Sequence, residues 1–477
     1  MTMIAGPSEM GSKQRNMAFL GCLLLSISMS AFGLSLANIQ GAVLASMNAG
    51  ESAFSLVTAL CSAALCIMTP VGGSLMDLIG TKKVVLYFGV MVCVCAILLA
   101  FTSNLYLYLV LRVLLSAAQG AFASVPFIII RKLYLPDKLP TYTGYLSGAF
   151  AAGGFIGSWL AGWFLDHSMT GLASCFPVLF LAIGIPLLVK FGPEDVLNHS
   201  KKIDYVGVLF LTITLLGLVF ALNLGPTAGW TSMIVLGCFA ALIIGLIALI
   251  GWEKKAANPL IPLQLFKNKA YVILLLTSGL LIIYLTAINS YVPQALQRLM
   301  DQSAAVSGTV QIPRTILSII IPGLAGAWVA RSTNNIWKAL AVAAALLIIS
   351  CSLLVFIGPK MPLWFVITII ALTGAADSFR TVSTMPAAQS LLKPKDMGIG
   401  TSMVGFIISL SGVIASALFS IAYNTLVHAT PGDRGLIDGI DTVLLISAAA
   451  ALIALLLDVL VFRVIYPKVL AKAKAEH

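Results

Sequence analysis

Five ionisable side chains lie inside long apolar stretches of this chain: Arg112, Arg314, Asp377, Arg380 and Asp458. A charge at the centre of a hydrocarbon layer costs ~2.5–3.5 kcal/mol on insertion scales, so each needs a cavity, a partner or a function. Three are arginines, whose planar guanidinium holds a carboxylate or sulfate bidentately. Two of them facing one aqueous site would clamp an anion. Asp377 and Arg380 stand three residues apart, close enough on a helix to pair and lower each other's cost. A protonatable carboxylate beside a cation is a compact proton-exchange device, and a plain structural ion pair is the rival reading.

Periodicity gathers further polar residues around these charges. Arg112, Ser116 and Gln119 fall on one helical face, as do Asp377, Arg380, Thr381 and Thr384. Arg112 reads either as an anion contact or as a gate element bonded to backbone. Arg314, next to Pro313, reads as an anion contact or as a partner of Asp301 or of a neighbouring helix. Asp458 is expected to pair with a base such as Arg463 or with a backbone donor. Ser26, Ser28, Ser30 and Asn38, with Tyr284, Thr286, Asn289 and Tyr291, supply hydroxyls and amides suited to a hydroxylated amphipathic solute. Serines also serve helix packing in membranes, which is the rival role for any one of them.

The elements that must position these side chains are apolar runs at about 17–38, 54–76, 84–102, 105–130, 142–165, 172–190, 205–225, 231–251, 270–292, 305–330, 336–358, 361–390, 399–424 and 440–466. They are spans 1 to 14. About 20 apolar residues cross a ~30 Å core as a helix, and only helices or closed barrels satisfy the backbone there. Runs of this length exclude a barrel. The fold class is an all-α polytopic membrane protein with 14 transmembrane helices.

Most of the 28 lysines and arginines fall in alternate gaps between spans, among them Lys82, Lys83, Arg131, Lys132, Lys138, Lys201, Lys202, Lys254, Lys255, Lys267 and Lys269. Basic residues are retained in cytoplasmic loops, so both termini are expected to be cytoplasmic. The net charge of +11 then reflects topology and the anionic inner leaflet, and no nucleic-acid partner is expected. The polar start is followed by a first span without a small-residue cleavage signature, read as a retained helix. Eight cysteines in or beside spans read as small packing residues, with no metal-ligand spacing.

Enzyme motifs are missing. The chain has no Walker loop, no His-Glu-x-x-His, no Gly-x-Ser-x-Gly and no embedded histidine. No enzymatic activity and no cofactor are expected, and ATP is not the direct energy source.

The gap after span 2 reads Gly73-Ser-Leu-Met-Asp77-Leu-Ile-Gly80-Thr-Lys82-Lys83. It resembles the G-x-L-a-D-r-x-G-r-k motif of the major facilitator superfamily. Lys202-Ile-Asp204-Tyr-Val-Gly207, Gly251-Trp252-Glu253 and Pro259–Phe266 resemble the segments bordering two extra central helices in its fourteen-helix drug:proton antiporter-like branch. The resemblance implies two pseudo-symmetric six-helix bundles, 1–190 and 270–477, with the extra helices and their linkers at 191–269. It implies a solute site at the midplane, lined by spans 1, 4, 9 and 12, and alternating access by rocking of the bundles. Gly73, Asp77, Gly80, Lys82 and Lys83 would then form the gate.

Departures from the pattern bear on the substrate. Ser28–Asn38 carries no carboxylate where antiporters of this branch have one. Gly153-Gly154-Phe-Ile-Gly157-Ser158 lacks the proline and last glycine of the antiporter motif, and Ala330 stands where a second-half Asp is common. These argue against a routine exporter of cationic drugs. The reading is a monomeric, proton-coupled secondary transporter of an amphipathic organic anion in a bacterial plasma membrane, in contact with lipid. Its overall pattern resembles bacterial bile acid transporters, and proton-driven multidrug efflux is the alternative. Arg112, Gln119, Tyr284, Asn289, Arg314 and Arg380 are the substrate-binding candidates, and Asp377 is the proton-coupling one.

Overall fold

A computed structural model describes residues 11–49, 51–195, 203–256, 259–302, 306, 309–358, 361–393, 396–429 and 433–475. No strand occurs among them. Fourteen helices are long and apolar enough to cross a membrane: Ser12–Ser46, Leu56–Ile79, Thr81–Phe101, Leu105–Leu133, Leu139–Asp166, Thr170–Phe191, Tyr205–Pro226, Met233–Glu253, Lys269–Arg298, Ile312–Ala330, Asn334–Leu354, Leu363–Ser390, Met397–Val427 and Arg434–Ala471. They match spans 1 to 14 one for one. Lys201, Lys202, Lys360 and Lys395 lie outside the described residues.

The chain divides into two compact units. The first comprises Met1–Pro136, Ala149–Leu265 and Leu392–Phe406; the second comprises Asp137–Gly148, Phe266–Leu391 and Ile407–His477. In the first, span 1 packs on span 6, span 4 on spans 2 and 3, and spans 7 and 8 form a hairpin whose first helix leans on span 2. Span 5 meets span 1 along a glycine seam. A Cβ at Gly153 would fall 2.2 Å from the Ile27 carbonyl oxygen, and one at Gly157 2.5 Å from that of Ala31. Small residues four apart let two backbones touch, and in lipid that contact replaces hydrophobic drive. The stretch that departs from the antiporter motif is therefore a packing seam.

In the second unit, span 12 packs between spans 10 and 11, and span 14 packs on spans 9 and 11. Two spans depart from α geometry here. Span 9 contains a π turn at Ala287–Tyr291, and span 14 contains one at Leu457–Phe462. Span 10 was expected from residue 305, but its helix begins at Ile312, with Pro313 in the first turn. Proline suits that position because its missing N–H would have no partner there. Conversely, span 1 runs on to Ser46, past the expected 38, because no proline or glycine cap stops it.

Candidate functional site

The embedded arginine of the first unit is almost wholly enclosed. Arg112 is 7 % exposed and donates from Nη2 to the Gln40 side-chain oxygen at 3.1 Å, while its Nε has no acceptor. Gln40 in turn donates to Thr58 Oγ1 at 2.8 Å, so spans 1, 2 and 4 meet at one polar knot. Tyr108, one turn before Arg112, is buried beside it. Ser116 and Gln119 are buried on the same face, and Gln119 donates to the Met29 carbonyl at 3.3 Å. No carboxylate pairs with Arg112 among the described residues. A buried cation held only by neutral groups is expensive, and an anion would relieve that cost.

Several polar residues of the first helix bond to protein groups. Ser28 donates to the Pro177 carbonyl at 3.0 Å and Ser35 bonds the Ala173 carbonyl, fastening span 1 to span 6. Ser26 bonds back to Cys22 in its own helix, and Asn38 donates to Ser158 of span 5 at 2.8 Å. Gln40 is the span 1 residue that reaches Arg112, and the sequence reading missed it. Its position two residues beyond Asn38 lies past the expected end of the helix.

The second unit holds the other charges. Arg380 reaches the same Asp377 oxygen twice, from Nε at 3.0 Å and Nη2 at 2.7 Å. The pair is lopsided: the Arg380 side chain is 7 % exposed and that of Asp377 28 %. Thr381 bridges them, receiving a contact from Arg380 at 3.3 Å and donating to the Asp377 carbonyl at 2.9 Å. Half-buried Arg314 donates to the Tyr284 hydroxyl at 3.4 Å, and that hydroxyl donates to the Thr373 carbonyl. Tyr284 and Arg314 both lie within the electrostatic reach of Asp377. One cluster therefore contains two arginines and one carboxylate.

Backbone contact sets this cluster's depth. Gly374 lets the Arg314 peptide approach so closely that a Cβ there would meet its carbonyl oxygen at 2.2 Å. The Arg314 backbone thus touches span 12 at Gly374, while its side chain, in the first turn of its own helix, reaches Tyr284 of span 9. Asp301, the alternative partner, is not bonded to it. Asn289 is exposed on the π turn and hydrogen-bonds none of these residues, so the structure does not join it to the cluster. The expected Asp458 pairing is also corrected: the Arg463 guanidinium stands over the Trp337 ring at 4.7 Å, and neither Asp458 side-chain oxygen has a partner.

The residues read as a gate assemble at one end of the first unit. Asp77 Oδ1 accepts the Gly398 N–H at 3.1 Å. Gly73 lies against Gly398 and Ser402, where a Cβ would come within 2.9 Å of both. Gly80 has φ +93°, a conformation that favours glycine, and starts the span 3 helix. Asp195, which the sequence reading did not single out, accepts Thr81 N at 2.7 Å and pairs with Lys132. Lys82 is partly covered and Lys83 is exposed. Asp204 and Trp252 also meet: the indole N–H donates to Asp204 Oδ1 at 2.8 Å, while the same oxygen caps Gly207.

The sequence pattern described as Major Facilitator Superfamily matches residues 18–416. The chain belongs to that superfamily. Among curated relatives, Multidrug resistance protein 3 of Bacillus subtilis is 25 % identical over 87 % of this chain and 81 % of its own length. The efflux pump dotC of Dothistroma septosporum is 24 % identical over 84 % of this chain and 70 % of its own length. Two solved superfamily-like structures share the fold at 14 % identity. The human organic anion transporter MFSD10 has a TM-score of 0.64, covering 94 % of this chain and 100 % of that one. The proton:xylose symporter XylE has 0.61, covering 94 % and 95 %. The chain is a multi-pass membrane transporter of this superfamily and not an enzyme.

Proposed function

We propose that this protein is a proton-coupled secondary transporter of an amphipathic organic anion, with bile acids as the substrate class, in a bacterial plasma membrane and with both termini cytoplasmic. The observation that carries the reading is Arg112, a 7 % exposed guanidinium bonded to a neutral amide and, among the described residues, to no carboxylate. Arg380 is paired with Asp377 while Arg314 bonds the Tyr284 hydroxyl, which leaves the second unit's cluster, among the described residues, with an excess positive charge when Asp377 is ionised. Such an excess favours a substrate carboxylate or sulfonate. Asp377 is the proton carrier in this reading, because it is paired, partly exposed and able to release Arg380 on protonation. Superfamily membership and the absence of a phosphate loop support an ion gradient as the energy source.

Proton-driven multidrug efflux is the second reading, favoured by the relatives described as multidrug and efflux pumps. One experiment separates them. Cells expressing the protein are tested for accumulation of labelled cholate and for extrusion of a cationic dye, with and without an uncoupler. Cholate uptake that the uncoupler abolishes is the expected result. Dye extrusion without cholate movement overturns the anion reading in favour of efflux.

A further inference from the structure

Span 14 carries a carboxyl group that the transport reading does not use. Asp458 is 0 % exposed, and neither side-chain oxygen has a hydrogen-bond partner. It lies in the π turn Leu457–Phe462, where the Arg463 N–H reaches back five residues to the Asp458 carbonyl. The turn packs against the Lys269–Leu280 part of span 9, against span 11 and against the Arg463–Ala475 end of span 14. Among the described side chains, the titratable groups on those elements are Lys269, Tyr271, Lys338, Cys351, Arg463, Tyr466 and Lys468. None bonds Asp458. Arg463 and Lys338 lie by Trp337, and Tyr466 is bonded to Ser390. Asp438 and Asp441 are about five turns away along the helix.

Among the described residues an ionised carboxylate in this fully buried place would have neither a donor nor a counter-charge, a cost far above that of the neutral acid. A neutral acid carries an O–H that can donate to backbone carbonyls, and π turns free such carbonyls from the α pattern. From this geometry we infer that Asp458 is a second proton-binding site, loaded in the conformation described and separate from the Asp377–Arg380 pair. Its setting couples it to the anion cluster. Span 14 touches the π turn of span 9, and span 9 touches the π turn of span 14. Span 9 also carries Tyr284, the hydroxyl that Arg314 binds. Irregular turns on both sides of one helix pair give it the slack to shift register when the proton leaves. This inference builds on the proton-coupled reading, and its test does not depend on the substrate.

Infrared spectra of the purified full-length protein in lipid bilayers at neutral pH are the measurement. Wild type minus Asp458→Asn is expected to show the C=O band of a protonated carboxyl, shifted downward in deuterated water. The band should persist in Asp377→Asn. Asp458→Glu, the second variant, should move the band without deleting it, which guards against misfolding of the Asn protein. Ionised-carboxylate bands at Asp458, or no difference at all between wild type and the Asp458 variants, would overturn the inference. Failure of cholate uptake with the band present would remove the anion reading and leave the proton site standing.

Discussion

The Asp77 carboxylate accepts the backbone N–H of Gly398 at 3.1 Å, beside the start of the helix Met397–Ala429. An acid at that end is favoured by the partial positive charge of unpaired N–H groups. Gly73 permits the contact, because a larger residue there would strike Gly398 and Ser402. Asp77→Asn keeps an acceptor but loses the charge, a change of about 1 kcal/mol or roughly fivefold in the equilibrium it controls. Equilibrium binding of labelled cholate should stay at the wild-type level while the turnover rate falls by that factor. A loss of affinity matching the loss of rate would place Asp77 in the binding site.

The proposed cytoplasmic termini predict which loops can be reached from outside. Single cysteines at Asn48, Gly229 and Gln302 should react with an impermeant thiol reagent added outside intact cells, and one at Lys138 should not. Reversed labelling at any two of these positions would reject cytoplasmic termini. Asn48 and Gly229 both sit at helix ends with positive φ, where a turn is being made.

Arg112 is the sharpest substrate prediction. Its loss removes a charge-assisted contact of about 1.5–3 kcal/mol, so Arg112→Ala should raise the KM for cholate roughly 10- to 100-fold. Arg112→Lys restores the charge without the planar fork and should recover only part of this. An uncharged cholate analogue should show no comparable change. Equal loss for the charged and neutral compounds would make Arg112 a structural partner of Gln40, which in turn bonds Thr58.

The spans were legible because hydrophobic length is a global signal that tolerates error at any one residue. Partnerships were less so. The Asp377–Arg380 pair was readable since i and i+3 meet on any helix. Arg112–Gln40 joins residues 72 apart, and nothing local marks Gln40. Arg463 was assigned to Asp458 by nearness in sequence, yet the π turn and the face of Trp337 redirect its guanidinium. The motif after span 2 showed Asp77 but not Asp195, an acid beside Glu194 in the connection after span 6 that ties Thr81 to Lys132.

The glycine seam offers a stability test free of any substrate assumption. Gly153→Leu forces a side chain onto the Ile27 backbone and Gly157→Leu onto that of Ala31. Both should lower the thermal unfolding temperature of detergent-purified protein markedly or abolish expression. A Cβ at Gly162 meets nothing within 4 Å, so Gly162→Leu should behave as wild type. Equal tolerance of all three would mean that spans 1 and 5 are not in backbone contact.

Asp377 and Arg380 separate coupling from simple charge balance. If Asp377 carries the proton, Asp377→Asn should still exchange labelled cholate across the membrane but lose pH-driven accumulation entirely. The neutral amide leaves Arg380 permanently available, so exchange should lose the part of its pH dependence that Asp377 confers. A purely structural pair predicts otherwise. Removing one partner would strand the other charge in a largely buried site, costing about 3–5 kcal/mol and the fold with it. The double change Asp377→Asn/Arg380→Gln would then restore expression and pH-driven uptake together, since the two effects would cancel. Proteoliposomes allow exchange and pH-driven uptake to be measured on the same preparation. Accumulation at the wild-type level in Asp377→Asn would remove this residue from coupling.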